Sequence, residues 1–178
     1  VRSSLNGNPG TIVKEETKSM EDVVIRGVSL DKNQAKVTLT GVPDRPGTAA
    51  RVFRALAEAA INVDMIIQNV SHGTGAPTTD LSFTVDKPDL LKAHKVIEAL
   101  RKELNFRQII ANESIGKLSI VGVGMRSHSG IAACMFDTLA REGINIDMIS
   151  TSEIKISVTV ELAKAEAATR AVHAAFLE

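Results

Sequence analysis

The chain has 178 residues, which is enough for one ordinary domain or for two small ones. Its 21 lysines and arginines balance 21 acidic residues, and this zero formal charge argues against a surface for nucleic acid or for an anionic membrane. The single cysteine, Cys134, excludes an internal disulfide framework and is typical of a cytoplasmic protein, and no apolar run is long enough to cross a bilayer.

In chain order, a polar tail and one strand come first. Residues 1–20 are rich in Asn, Gly, Thr and Glu, which is typical of a linker that follows another domain. Residues 23–30 are rich in Val, Ile and Leu and predict a strand.

Six further elements follow, each with apolar residues at strand or helix spacing. A Pro/Gly-rich segment at 43–47 separates the first strand from the first helix, and Pro88 begins the second helix, as proline does in a first helical turn. The predicted elements are a strand at 35–42, a helix at 48–60, strands at 63–70 and 81–85 joined by a Gly/Pro-rich loop at 71–77, a helix at 88–103 and a strand at 106–110.

The chain contains an internal repeat. Ile-Asn-Val-Asp-Met-Ile at 61–66 recurs as Ile-Asn-Ile-Asp-Met-Ile at 144–149, and the strand at 37–42 recurs at 118–123. The first segment recurs 83 residues later and the second 81 residues later. This difference of two residues falls in one loop, where the segment 43–47 becomes the longer segment 124–130. A match that keeps its register on both sides of one loop indicates two homologous domains of about 80 residues.

The second copy lacks a last strand. It has a strand at 117–123, a helix at 130–142, strands at 146–150 and 154–160 and a helix at 163–176. Because an uncovered sheet edge favours unwanted pairing, we expect the strand at 23–30 to complete this sheet.

The element order predicts an α+β protein made of two ferredoxin-like βαββαβ domains, the first inserted in the second. The predicted division is a tail at 1–20, a completing strand at 21–32, a first domain at 33–113 and a second domain at 114–178.

Residues of the kinds found in catalytic and metal sites are scattered. The four histidines, His72, His94, His128 and His173, have no ligand partner at metal-site spacing, and no glycine-rich phosphate loop is present. We therefore predict no metal, no cofactor and no catalytic residue in this chain. His94 and His173 are expected on helix surfaces, and Cys134 away from the core.

The loop at 43–47 is the best candidate for binding. A helix that begins at an exposed Gly/Pro loop presents free N–H groups and partial positive charge to a carboxylate. Asp44 would meet an ammonium group, so the loop would hold both poles of an amino acid. The alternative, which the local residues favour, is a tight turn in which Asp44 caps the helix. The repeated Asn-x-Asp motif at 62–64 and 145–147 has a similar alternative, a plain helix-to-strand turn.

Val-Pro-Asp-Arg-Pro-Gly at 42–47, the run at 61–71 and the run at 144–156 together resemble the regulatory region of bacterial aspartokinase, which consists of two ACT domains. Gly-Met-Arg-Ser-His-Ser-Gly at 124–130 strengthens the resemblance, which covers residues 20–176. It implies that the chain binds the end products threonine and lysine and thereby inhibits phosphorylation of L-aspartate.

The resemblance also implies two sets of binding residues, here called the threonine set and the lysine set. The threonine set is Asp44, Gly47, Thr48, Ala49, Gln68, Asn145 and Ile146. The lysine set is Asn62, Val63, Asp64, Ile131, Ala132, Ser152 and Glu153. The second domain departs from the motif of the first, since Met125 stands where the first has Asp44.

The expected partners are L-threonine, L-lysine, the catalytic domain or α subunit of aspartokinase, and a second copy of this chain paired along free sheet edges. Two other functions stay open. One is an ACT-type sensor of another amino acid, such as methionine or a branched-chain residue, and the other is an assembly subunit without a ligand. An enzyme is the third alternative, and the lack of a nucleotide-binding motif argues against it.

Overall fold

The computed structural model describes residues 25–71, 77–123 and 128–178, so the predicted tail at 1–20, most of the loop at 71–77 and Met125 lie outside the described residues. Strands and helices alternate in the order that the repeat predicts. The strands are β1 (Gly27–Asp31), β2 (Gln34–Pro43), β3 (Ile66–Ser71), β4 (Thr78–Asp86), β5 (Gln108–Asn112), β6 (Ile115–Val121), β7 (Met148–Thr151) and β8 (Lys155–Glu161). The helices are α1 (Thr48–Glu58), α2 (Leu90–Ala99), α3 (Arg101–Leu104), α4 (Ile131–Arg141) and α5 (Ala165–Leu177), with 3-10 turns at Lys87–Asp89 and Leu162–Lys164.

The strands form two four-stranded antiparallel sheets. The first sheet has the order β3-β4-β2-β5 and the second has the order β1-β6-β8-β7. Each order places the first and third strands of a βαββαβ unit side by side at the centre, which is the ferredoxin-like arrangement. The predicted α+β fold class is confirmed.

The strand nearest the N-terminus belongs to the second sheet. β1 pairs antiparallel with β6, with Gly27 opposite Val121 and Asp31 opposite Lys117. β1 therefore has the same place beside β6 that β5 has beside β2 in the first sheet.

Several predicted boundaries are wrong, including those of one helix and two strands in the first domain. The helix predicted at 88–103 is interrupted at Leu100, whose N–H bonds to Ile97 in a 3-10 turn before α3 begins. β3 begins at Ile66 instead of residue 63, although the backbones of Asp64 and Met65 already hydrogen-bond to Thr84 of β4. β5 begins at Gln108 instead of residue 106, because Phe106 is buried in the core.

Each sheet buries one face under its own helices, and the two cores are separate. In the first core Phe53 of α1 meets Phe83 of β4 edge to face, with ring centroids 5.7 Å apart. In the second core Met135 and Leu139 of α4 are fully buried against Leu118 of β6. Apolar residues alternate with polar ones along β2, β4, β6 and β8, so the opposite face of each sheet is polar.

The two polar faces lie against each other. Thr84, Ser119, Ser157 and Thr159 point away from the helices, yet all four are buried. β2 contacts β6 and β3 contacts β7, so each sheet covers the polar face of the other. This stacking positions the ends of β3 and β7, where the candidate site residues lie.

Candidate functional site

The loop before α1 ends in a left-handed glycine. Gly47 has φ 93° and is the N-cap of α1, with no side chain capping the helix. The hydroxyl of Thr48 donates to the carbonyl of Pro43 over 3.1 Å and ties the loop to β2. Asp44 is exposed, and the interpretation that it caps the helix is wrong. The N–H of Thr48 bonds to the carbonyl of Arg45 over 3.3 Å, and no side chain caps the rest of the first turn of α1, the part of a helix that suits an anion.

The helix start in the second domain repeats this geometry. Gly130 is the N-cap of α4 with φ 92°, again without a capping side chain. In the internal repeat Gly130 corresponds to Gly47, and Ile131 corresponds to Thr48. The two copies therefore keep the same backbone conformation at the helix start, although their loop sequences differ.

A cavity of about 430 Å³ lies beside the N-terminus of α4. Gly130, Ile131 and Ala132 line it from the helix, and Thr151, Ser152 and Glu153 line it from the end of β7. Four members of the lysine set, namely Ile131, Ala132, Ser152 and Glu153, thus share one cavity. Its volume lies in the range of small-molecule sites, and it offers both helix N–H groups and a carboxylate.

The remaining members of the lysine set lie in the first domain, before β3. Asp64 lines a smaller cavity of about 110 Å³ that also includes Ser152 and Lys155, so the two parts of the set meet at Ser152. Asn62 is exposed and Val63 is packed against the first core. The carboxylate of Asp64 also accepts a hydrogen bond from Lys117 of β6, so Asp64 has a cationic partner within the chain.

The threonine set is spread over three places. Gly47 and Thr48 line a cavity of about 230 Å³ together with Arg45 and Arg51. Gln68 is exposed on the edge strand β3, opposite Leu81. In the second domain Asn145 lines a cavity of about 320 Å³.

The other two members of the threonine set lie beside these positions. Ala49 follows Thr48 in the first turn of α1 and is half-buried. Ile146 is packed against the second core. A single chain thus brings the α1 members together, while Asn145 and Ile146 lie in the second domain.

The repeat relates the two sets. Ile131, Ala132 and Thr151 of the second copy correspond to Thr48, Ala49 and Gln68 of the first. The cavity of the second domain is therefore built on the same positions of the fold as the α1 and β3 members of the threonine set.

Two lysines that the sequence analysis did not select form ion pairs between the two domains. Lys36 of β2 donates to both carboxylate oxygens of Asp147, at 2.8 and 2.9 Å. Lys117 of β6 bonds to Asp64 and lies 3.6 Å from the carboxylate of Asp31. The signal available in the sequence was the repeat itself, since a lysine and an aspartate recur at the same positions of both copies.

The described part of the chain was also searched for metal-binding clusters, reactive side chains and membrane-spanning helices. Residues 25–71, 77–123 and 128–178 contain no group of three or more His, Cys, Asp or Glu placed to hold a metal ion. Cys134, His94 and His173 are exposed on helices, as predicted. Among the described helices, none has the length and apolar character that crossing a membrane requires.

The chain is similar to ACT domains and to aspartate kinases. Family models described as ACT domain match residues 36–105 and residues 118–176. The chain is 48% identical to an aspartate kinase of Pseudomonas putida over 177 residues, and 47% identical to an aspartokinase of Mycolicibacterium smegmatis over 178 residues. Each match covers 99% of this chain and 42% of the relative, so the chain spans less than half the length of these proteins.

Solved structures show the same similarity. The regulatory subunit of aspartate kinase from Thermus thermophilus, in its ligand-free form, is 45% identical, with a TM-score of 0.79, and the match covers 86% of this chain and 99% of that one. A structure of aspartokinase alpha and beta subunits is 47% identical with a TM-score of 0.79, and the match covers 85% of this chain and 98% of that one.

Proposed function

The chain belongs to the family of aspartokinase regulatory regions built from two ACT domains, and from this premise we propose that it binds threonine and lysine and thereby inhibits the phosphorylation of L-aspartate. The observation that carries the proposal is the cavity beside α4, which joins helix N–H groups to the carboxylate of Glu153. Such a site suits an α-carboxylate at one end and a cationic side chain at the other.

The lysine set supplies the charges that a lysine ligand needs. The N-terminus of α4 would face the ligand carboxylate, and Glu153 is the acidic residue that lines the same cavity. Asp64 lies on the adjoining small cavity, which shares Ser152 with the first. We propose that the ligand ammonium groups bind toward these carboxylates.

The threonine set uses the equivalent helix start in the first domain. The first turn of α1 and the left-handed Gly47 would hold the ligand carboxylate, as proposed for α4 and Gly130. Asp44, which is exposed beside this helix start, would meet the ammonium group. Gln68, on the adjacent edge strand, would hydrogen-bond to the ligand.

We propose that a second copy of this chain completes the threonine site. Asn145 and Ile146 lie in the second domain, away from α1, and a partner copy would bring them to it. The edge strand β3 exposes Ile66 and Val70, at 49% and 45%, which is unusual for an edge that remains in water. A homodimer paired along such edges would cover these side chains and close the pocket.

The catalytic partner in this proposal is the catalytic domain or α subunit of an aspartokinase. The chain accounts for 42% of the length of its relatives, so the aspartate-phosphorylating part would be the remainder or a separate subunit. Inhibition is then a coupling free energy between effector site and kinase, typically about 1–3 kcal/mol. We keep the predicted domain division, with the domain at 33–113 inserted in the other, and the cytoplasmic location as parts of the proposal.

Thermal unfolding with added amino acids tests the proposal directly. A ligand at a hundred times its Kd stabilises the native state by about 2.7 kcal/mol, which raises Tm by several degrees in a chain of this size. We expect threonine and lysine to raise Tm, and methionine and valine to leave it unchanged. A chain stabilised only by methionine or valine is a sensor of another amino acid, and a chain stabilised by none of the four has no such sites.

Matched variants locate each site. We expect Gln68→Ala to weaken threonine binding by tenfold or more, which corresponds to about 1.4 kcal/mol, while Gln108→Ala, also exposed on an edge strand, leaves it unchanged. We expect Glu153→Gln to weaken lysine binding, while Glu113→Gln, which is also exposed, has no effect. Isothermal titration calorimetry gives each Kd, and equal constants in a variant and its control would refute that assignment.

A further inference from the structure

The surface between the two sheets is polar and made of short side chains. The hydroxyls of Thr38 and Ser82 pair across the first sheet, and those of Ser119 and Ser157 pair across the second, each over 2.9 Å. These hydroxyls bond within their own sheet, so they contribute little to holding the two sheets together. Contacts between domains of one chain resemble transient interfaces, in which relative motion is the expectation unless the interface is large and apolar.

Two ion pairs cross this surface in opposite directions. Lys36 of the first sheet bonds to Asp147 of the second domain, and Lys117 of the second sheet bonds to Asp64 of the first domain. In the internal repeat Lys117 corresponds to Lys36, and Asp147 corresponds to Asp64. The two pairs are therefore the same contact, made once by each copy of the repeat.

Both lysines are largely removed from water. Only 19% of the Lys36 side chain and 12% of the Lys117 side chain are exposed, against 40% and 44% of Asp147 and Asp64. A lysine so far covered needs a carboxylate partner, because an unpaired ammonium in that position would lose its hydration without compensation.

We propose that the Lys36–Asp147 and Lys117–Asp64 pairs form an interdomain latch that sets the angle between the two ACT domains. One ion pair would leave the sheets free to rotate about it, whereas two pairs running in opposite directions fix the rotation. The latch goes beyond the proposed function because both ion pairs are present without a ligand. Because Asp64 also belongs to the lysine set, the latch is tested without added amino acids.

The two halves of the latch are unequal. Lys117 lies near a second carboxylate, that of Asp31 on β1, whereas the equivalent position beside Lys36 on β5 is the neutral Asn112. Asp31 belongs to the same sheet as Lys117, so without this lysine the carboxylates of Asp31 and Asp64 would repel each other between the two domains. Replacing Lys117 is expected to loosen the domains more than replacing Lys36.

Spin-label distances between the domains test the latch. Cys134, the only cysteine of the chain, is exposed on α4, and a Lys95→Cys substitution adds an exposed label site on α2 of the other domain. Diluting the labelled chain into excess unlabelled chain removes distances between copies. Double electron–electron resonance then gives the distribution of distances between the domains.

We expect a narrow distribution in the native chain and one at least twice as wide in K36M/K117M, in which methionine keeps much of the lysine stem. K117M alone is expected to give a wider distribution than K36M alone. Lys92→Met, an exposed lysine on α2, is the matched control and should leave the distribution narrow. Exchanging the charges of the Lys36–Asp147 pair, by K36D/D147K, should give a narrower distribution than K36M, because the residue opposite Lys36 on β5 is the neutral Asn112.

A distribution in K36M/K117M as narrow as in the Lys92→Met control overturns the proposal. A K36D/D147K chain with a distribution as wide as that of K36M overturns it too, since the pairing would then not depend on opposite charges.

Discussion

Replacing Gly116 by alanine should destabilise the second domain by forcing β6 away from α5. A Cβ on Gly116 would lie 2.6 Å from the Cβ of Ala165 and 3.3 Å from a methyl carbon of Leu30, whereas ordinary contacts begin at 3.4 Å. Ala165 is fully buried and its Cβ is fixed to the helix backbone, so it cannot turn aside. Overpacking of this kind costs about 1–3 kcal/mol, and alanine recovers about 0.5–1 kcal/mol of it because glycine is unfavourable in a strand. The middle values of these two ranges leave a net loss of about 1 kcal/mol.

Urea unfolding followed by circular dichroism measures this loss, and Ala165→Gly supplies the partner for a double-mutant cycle. Ala165→Gly alone should destabilise by up to about 1 kcal/mol, since glycine is a poor helix former. In the double variant G116A/A165G the new Cβ has room, so its loss should be clearly smaller than the sum of the two single losses. Losses that simply add, or a G116A chain as stable as the native one, would refute the packing explanation.

Three further predictions concern the core, the loop glycine and pH. Leu139→Ala, at a fully buried site, should lower the free energy of unfolding in urea by about 2–5 kcal/mol. Leu91→Ala, at a side chain that is 76% exposed, should change it by less than about 0.5 kcal/mol. Similar losses at both sites would contradict the assigned core. Gly130→Ala adds a Cβ that meets nothing within 4 Å, so only the strain of φ 92° remains, about 1–2 kcal/mol; an unchanged Tm would show that the loop relaxes. The hydrogen bond from Lys32 holds the pKa of Glu166 below its usual range, so its contribution is present above the unfolded pKa and is lost as pH falls through the folded one. Glu166→Gln should therefore flatten the loss of stability between neutral and acidic pH, and parallel curves for the two proteins would contradict this.

Much of the fold was predictable because the determining signals are local or repeated. Periodic apolar residues predicted the strands and helices, and their order predicted two ferredoxin-like sheets. The errors fell where a tertiary contact competes with periodicity. Phe106 fits the apolar pattern of a strand, but it packs in the first core two residues before β5 begins. Leu100 fits the helical pattern, yet a 3-10 turn at this residue interrupts the helix.

Local sequence signals likewise predicted only part of the candidate site. Gly47 and Gly130 were recognisable as helix-start glycines, because a left-handed residue before a helix favours glycine whatever surrounds it. That Ile131 and Ser152 share a cavity was suggested only by resemblance, since one begins α4 and the other follows β7, well separated in the chain.

By itself, the sequence determined that this protein is a repeat of one βαββαβ unit, because propensity, periodicity and recurrence can be read from the order of the residues alone. Only the tertiary structure decided how the two units face each other. Asp64 and Asp147 are equally compatible with turns in the sequence, and stacking of the two polar sheet faces turns both into partners of buried lysines. A pairing between residues so distant in the chain depends on where whole sheets lie in space, and no local pattern encodes that position.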